Sequence, residues 1–291
     1  MRTIFYTLIA VFIFGIIAMS FTNKANTKKS IVIQSIDSNV SSISLSQSAE
    51  IIKNRLKDFS TNEFELTIIS EKNQIQVTFV KTLDLKIIEN LMIQKGTLEF
   101  YETFNRKTLS ELLMGDNRIF SLFNAASVID SSTEIGCTSS IKVGKINDFI
   151  NTLGHNNKCK FAWNQNTDSS EVCLYVLKTD SQKAALIAKS DIKSVKFNQA
   201  KVSKNNEIEI QLKESAIALW ANATKHNINN AIAIVLDDNV IAAPIVRSEI
   251  NGGRCTVTGN FTQAEAKYIA ALANNGELPL SFEVLKTDKT K

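Results

Sequence analysis

Histidine is almost absent from this chain. His155 and His226 are the only two in 291 residues; they stand a whole predicted subdomain apart, and no Ser or Cys forms a nucleophile motif with an acid partner. The sequence therefore offers no hydrolytic triad, and we expect no enzyme, no catalytic residue and no cofactor. His155 lies four residues from Cys159, a spacing that could join two ligands on a helix. No second ligand pair stands nearby and Cys159 reads as the start of a strand, so no metal is expected. A basic block is also missing. The 33 Lys and Arg and 29 Asp and Glu residues are scattered, leaving a net charge of +4, and this argues for a solvated surface and against a nucleic-acid face.

Cysteine is sparse but even in number: Cys137, Cys159, Cys173 and Cys255. An exported chain would carry them into an oxidising compartment, where three complete pairings are open. One bridge among Cys137, Cys159 and Cys173 with Cys255 free stands beside a second possibility, four buried thiols.

The chain does contain enough apolar residues, 44%, to bury a sizeable core in one large or two small domains, so extensive disorder is not expected. One long uncharged run opens it. Residues 4–21 follow Arg2 without a charge, and as a helix they would span about 27 Å, marginally a membrane crossing. Ala18 and Ser20 are spaced for signal-peptidase cleavage. A retained anchor and a cleaved signal peptide are thus both open; we expect the anchor. Either sends the remainder out of the cytoplasm. Residues 22–30 read as a polar linker.

The most informative stretch is 231–261, AIAIVLDDNVIAAPIVRSEINGGRCTVTGNF. Residues 231–236 are short, β-branched and apolar, as in a strand buried on both faces, and 240–246 is a second such run. Asp237, Asp238 and Asn239 connect them; Asp and Asn tolerate positive φ, so they can close a hairpin without glycine and are read as turn formers. Pro244 lacks a ladder N–H and places the second strand at an edge or a bulge. Gly252 and Gly253 turn the chain, 255–258 is a strand, and Gly259, Asn260 and Phe261 lead into a helix. Thr262 and Glu265 have capping-box spacing, Ala266, Ile269, Ala270 and Ala273 form its apolar face, Gly276 stands at the left-handed C-terminal position, and Pro279 ends it.

Upstream, 31–36 predicts a strand, Ser44 and Gln47 a cap, and Leu45, Ala49, Ile52, Leu56 and Phe59 a buried helical stripe. Strands over 64–69 and 75–80, a helix over 83–93 and a strand over 98–104 complete the order strand, helix, strand, strand, helix, strand. That is the order of a ferredoxin-like split βαβ unit. The fold class expected is α+β. In the middle, Thr108 and Glu111 have capping-box spacing, Ile146 to Leu153 carry a helical stripe stopped by Gly154, 159–163 and 172–177 suit a hairpin, and 181–189 a helix. Residues 194–203 and 207–212 read as strands and 214–224 as a helix with Ala216, Leu219, Trp220 and Ala223 on its apolar face. Trp220 is read as core or interface, not as a ligand platform.

Three runs carry a family resemblance: AIAIVLDDNVIAAPIV, INGG and GNFTQAEAKYIAALANNGELP. In this order they resemble the signature of the large extracytoplasmic domain of SecD, an accessory subunit of the Sec protein-export machinery. EIIKNRLKDF resembles its first helix and GTLEFYETF its G-x-L-E-F strand. Asp238 departs from the family's L-D-G-K-V turn, and the Gly-Leu-Asp-Leu-x-Gly-Gly motif is absent. On this resemblance Asp237, Pro244, Gly252, Gly253, Gly259, Asn260, Phe261, Gly276 and Pro279 are structural motif residues. It implies an anchor with linker over 1–29, a base over 30–104 and 197–287, an inserted α/β head over 105–196 and a tail over 288–291. It further implies contact with unfolded secreted polypeptide and with translocon membrane subunits of the SecF or SecYEG type. The chain holds no later apolar run that could line a proton path, so proton-driven pulling by it alone is not expected. The other reading is an envelope interaction or regulatory module that docks to one folded partner.

Overall fold

The computed structural model describes residues 28–60, 63–79, 84–123, 131–153, 158–164, 171–180, 182, 184–199, 205–259 and 261–288. The apolar run at 4–21, Gly154, His155 and Asn260 lie outside the described residues. Among those described, no helix is long and apolar enough to cross a membrane.

The first block forms the six elements its periodicity predicts: β1 (Lys29–Ser35), α1 (Ser42–Phe59), β2 (Phe64–Ile69), β3 (Gln74–Phe79), α2 (Leu85–Ile93) and β4 (Leu98–Phe104). Ser41 caps α1, three residues before the expected Ser44 and Gln47. Its hydroxyl accepts the Ser44 amide at 3.0 Å and Ser44 Oγ accepts the Ser41 amide at 3.1 Å. The upstream serine pair is a complete box by itself, so the helix starts earlier.

In the middle lie α3 (Arg106–Leu112), β5 (Glu134–Ser139), α4 (Val143–Thr152), β6 (Cys159–Asn164) and β7 (Glu171–Lys178). Asn105 caps α3, with Thr108 as the reciprocal partner where Thr108 had been expected to be the cap. The helix expected over 181–189 does not form in its described part. Leu186 and Ile187 bond the backbone of Phe100 instead, and Lys189 to Asp191 make a single 3-10 turn. Local propensity gives way to a partner strand.

The last block is β8 (Ile192–Gln199), β9 (Asn206–Leu212), α5 (Glu214–His226), β10 (Ile232–Leu236), β11 (Asn239–Ala242), β12 (Arg254–Thr258), α6 (Gln263–Asn274) and β13 (Phe282–Asp288). Thr262 and Glu265 cap α6 as their spacing predicts.

These elements build three sheets, ordered β13-β1-β3-β2, β4-β10-β11-β6-β7-β5 and β12-β9-β8. The first block does not close on its own last strand. β4 leaves for the second sheet, and β13, from the far end of the chain, pairs antiparallel with β1 from Ser35↔Phe282 to Ser30↔Asp288. The residue pattern explains the exchange. On β4, Leu98 and Phe100 face one apolar cluster and Tyr101 another, so it needs an interior position. On β13, Phe282 is buried while Glu283 and Leu285 are exposed, which suits an edge.

The second sheet closes on itself, because β4 also pairs with β7 through Thr103↔Leu177 and Phe104↔Val176. Five strands, β4, β10, β11, β6 and β7, therefore form a ring. Tyr101, Ala162, Tyr175, Leu177, Ala233, Val235 and Val240 make a cluster of their own, in which large and small side chains are mixed, as the inside of a narrow barrel requires. β10 is buried along its whole length, as expected of a strand covered on both faces. Outside the ring, Phe100 and Ile234 join the platform core, which includes α1, α2, α6 and the third sheet, while Trp163 and Val176 join the separate core of the lobe with α3 and α4.

One disulfide, Cys137 to Cys173, joins directly opposed residues of β5 and β7; Cys159 and Cys255 are free. Burial raises both free thiols, Cys159 to about 11 and Cys255 to about 12, which disfavours the thiolate and holds them inert. Thiol titration of the denatured, unreduced protein should find two thiols per chain and, after reduction, all four cysteines of the sequence. Four before reduction would eliminate the bridge.

Candidate functional site

The motif residues of the sequence converge in part on one junction behind the surface. Asp237 and Asp238 both have positive φ, 48° and 65°, and Leu236 pairs with Asn239, so the turn has two residues and Asn239 belongs to β11. Positive φ at both central positions is the geometry of a type I′ hairpin. Asp237 also leaves its own hairpin. Its carboxylate accepts the amides of Gly96, at 2.9 and 2.8 Å, and Thr97, at 2.7 Å, while its N–H donates to the Thr97 carbonyl at 3.0 Å. Burial holds this carboxyl above its ordinary value, against the pull of the two amides and of the Arg55 charge.

Arg55 is the residue that sequence reasoning missed. It sits on α1 beside the predicted stripe and is fully buried. Nη1 donates to the carbonyls of Leu91 (3.2 Å) and Gln94 (2.6 Å), Nη2 to those of Lys95 and Gly276, both at 2.7 Å. The first two carbonyls end α2 and the last follows α6, so one planar cation serves the negative ends of two helices. Burial lowers its pKa to about 10, with Asp237 working the other way. Lys189 adds a second cation there through Ala273 O. The visible signal was a charged residue between Ile52 and Leu56 on an apolar face.

Two glycines are required at this junction for different reasons. Gly96 has φ 84°, and a Cβ there would lie 2.3 Å from Arg55 Nη2 and 2.9 Å from the Leu272 carbonyl. Gly276 has φ 85° at the expected left-handed position, but open space around it.

The remaining motif residues are spread out. Gly253, φ 62°, packs against Ile217, and its carbonyl accepts the Leu212 amide at 2.7 Å. Gly252 and Gly259 are exposed bends, Phe261 is half-buried against the platform core, and Pro279 is exposed beyond α6. Pro244 follows the end of β11 and stands outside the ladder; its carbonyl accepts the Ile232 amide at 3.2 Å. The expected second strand over 240–246 is cut short there, and Ile245 and Val246 instead bridge to Ala231 and Ile228.

That diversion opens a groove of about 340 Å³ between β4, β10, α5, β12 and the segment 244–250. Phe100, Trp220, Ile232, Ile234 and Val257 line it with apolar surface, and Arg247, Ser248 and Arg254 with polar groups. The Phe100 and Trp220 rings pack at 5.4 Å. Trp220 is 4% exposed, the core position its pattern predicted, yet among the described residues its indole N–H finds no acceptor. Ile245, also lining, is 49% exposed. The titratable groups lining the groove are Arg247, Arg254 and a Cys255 thiol held protonated. Such a surface can bind; it holds no general acid paired with a base.

His226 lies on exposed α5 surface with Nδ1 at 2.8 Å from the Asn222 carbonyl. The grouping of Glu134, Cys137 and Cys173 brings metal-ligating residue types together, but both sulfurs are committed to the disulfide.

The family description "SecDF, P1 head subdomain" matches residues 166–280, a span that crosses the expected head boundary at 196. Protein translocase subunit SecD of Calditerrivibrio nitroreducens is 34% identical over 114 residues, covering 38% of this chain and 21% of that protein. SecD of Mycobacterium tuberculosis is 32% identical over 124 residues, 40% of this chain and 22% of the relative; that of Leptotrichia buccalis is 31% identical over 109, 38% and 27%. The matched regions thus span roughly a fifth to a quarter of these relatives. A crystal structure of SecDF in a super-membrane-facing form superposes with a TM-score of 0.55 at 17% identity, over 89% of this chain and 30% of that one. A structure described as a membrane component SecDF that enhances protein export superposes at 0.50 with 18% identity, over 88% of this chain and 98% of its own. The mixed α/β fold is shared along nearly the whole chain.

Proposed function

We propose, from the premise that this chain carries a SecD extracytoplasmic domain, that it assists Sec-dependent export by contacting unfolded polypeptide outside the cytoplasm. The observation that carries this reading is the groove beside Trp220, apolar within and open at Ile245. An extended client offers scattered apolar side chains and backbone acceptors, and such a groove captures them without chemistry. In the same reading the run at 4–21 anchors the chain to the membrane and translocon membrane subunits are its neighbours. The sheet β13-β1-β3-β2 with α1 and α2 serves as a ferredoxin-like base, drawn from 30–104 and 197–287. The stretch 105–196 serves as the head; its separate core is drawn from Leu109 to Val176, while Ile187, Ile192 and Val195 pack into the platform core.

A photo-crosslinking residue placed at Ile245 tests this in growing cells. The expected products are many secreted chains caught in transit. A single folded envelope protein, captured at fixed stoichiometry, would instead establish a docking module and end the export reading.

A further inference from the structure

We infer that the groove selects client segments in which a large apolar side chain lies beside a carboxylate, and disfavours segments flanked by lysine or arginine. The inference rests on the client-contact reading and adds a charge preference to it. Its floor, with Phe100, Trp220, Ile234 and Val257, rewards an aliphatic or aromatic side chain. Two guanidinium groups, Arg247 and Arg254, stand at its polar side and both residues are exposed.

Their charges are cancelled to different degrees, Arg254 by an acidic neighbour and Arg247 by none among the described residues. Arg254 is partly engaged: its Nε lies 3.1 Å from Gln211 Oε1 and 3.7 Å from Glu209 Oε1. Among the described residues no carboxylate lies within ion-pair distance of Arg247, and no aspartate or glutamate lines the groove. The Trp220 ring is itself buried as part of this floor, and among the described residues its indole N–H finds no acceptor. A carboxylate at the mouth gains the field of both arginines, and a lysine there meets it as repulsion. Burial of the apolar side chain supplies affinity common to all clients; the flanking charge decides among them.

Fluorescent peptides carrying the same leucine-rich centre, flanked by aspartate, asparagine or lysine, are titrated onto the full-length chain. At low salt the aspartate peptide should bind about tenfold more tightly than the lysine peptide, with asparagine between, and the spread should close as salt rises and screens the mouth. The double change Arg247→Glu with Arg254→Glu should invert the order, with folding checked by circular dichroism. Equal binding of all three peptides to the unaltered chain, or an order that the charge swap leaves intact, overturns the charge preference and leaves the client reading standing. Binding of none of them overturns the client reading itself. The peptide series on the unaltered chain decides even where the double variant does not fold.

Discussion

Arg55→Ala should lower the melting temperature by roughly 10 °C, the largest shift expected of any single substitution at the junction. The change removes the guanidinium donors of four carbonyls on two segments, Leu91, Gln94 and Lys95 at the end of α2 and Gly276 after α6. Each partly buried carbonyl left without a donor costs about 1–3 kcal/mol where water does not reach it. Asp237 also loses a nearby compensating cation. Since some of these acceptors are only partly buried, water recovers part of the loss, and a total of about 3–5 kcal/mol is the reasonable sum. Arg55→Lys should fall between, because one ammonium cannot reach four acceptors that a planar fork meets together. A shift below about 2 °C in a circular-dichroism melt would mean that the junction contributes little, since roughly that much follows from 1 kcal/mol in a protein of this size.

Gly96→Ala should be nearly as damaging, and its cost should depend on Arg55. The left-handed backbone at φ 84° costs alanine about 1–2 kcal/mol alone. The added methyl meets Arg55 Nη2 at 2.3 Å and the Leu272 carbonyl at 2.9 Å, which brings the total to about 3 kcal/mol. In an Arg55→Ala background the nearer obstacle is gone. The double variant should therefore be less destabilised than the two single changes added together, by at least about 1 kcal/mol in a denaturant-unfolding cycle. Gly276→Ala is the control. It carries a similar φ of 85° with no atom near its Cβ, so the backbone preference alone should appear, about 1–2 kcal/mol. Strict additivity between positions 55 and 96 would break the proposed contact.

How far the sequence disclosed this structure depends on the range over which each feature is decided. The elements of the first block and the apolar stripe of α1 follow from periodicity over one helix or strand. The Thr262 and Glu265 cap and the positive φ at Asp237 and Asp238 follow from two or three neighbouring side chains. Where two boxes compete within a few residues, as with Ser41 and Ser44 or Asn105 and Thr108, spacing alone does not say which residue leads. The failures were long-range. That β4 leaves its block for β10, and that 184–187 runs beside Phe100 rather than coiling, are decided by partners distant along the chain. Closure of five strands into a ring left only a faint mark, the small Ala162 and Ala233 inside it.

The groove was half legible. Pro244 announced a break in its strand, and Trp220 was placed in the core, but nothing local joins Ile245 to Trp220 or sets Arg247 beside Arg254. Arg55 could have been noticed as a charge on an apolar stripe. Its four acceptors come from residues 91, 94, 95 and 276, and no window of sequence contains them with it.

The pairing of β1 with β13 sets a timetable. Ser35 has no partner on that side until Phe282 has been made, and at ribosomal speeds of about 5–20 residues per second the interval is on the order of tens of seconds. Throughout it one flank of an early strand stays available to whatever extended chain is near. A chaperone or a neighbouring copy has that long to intervene.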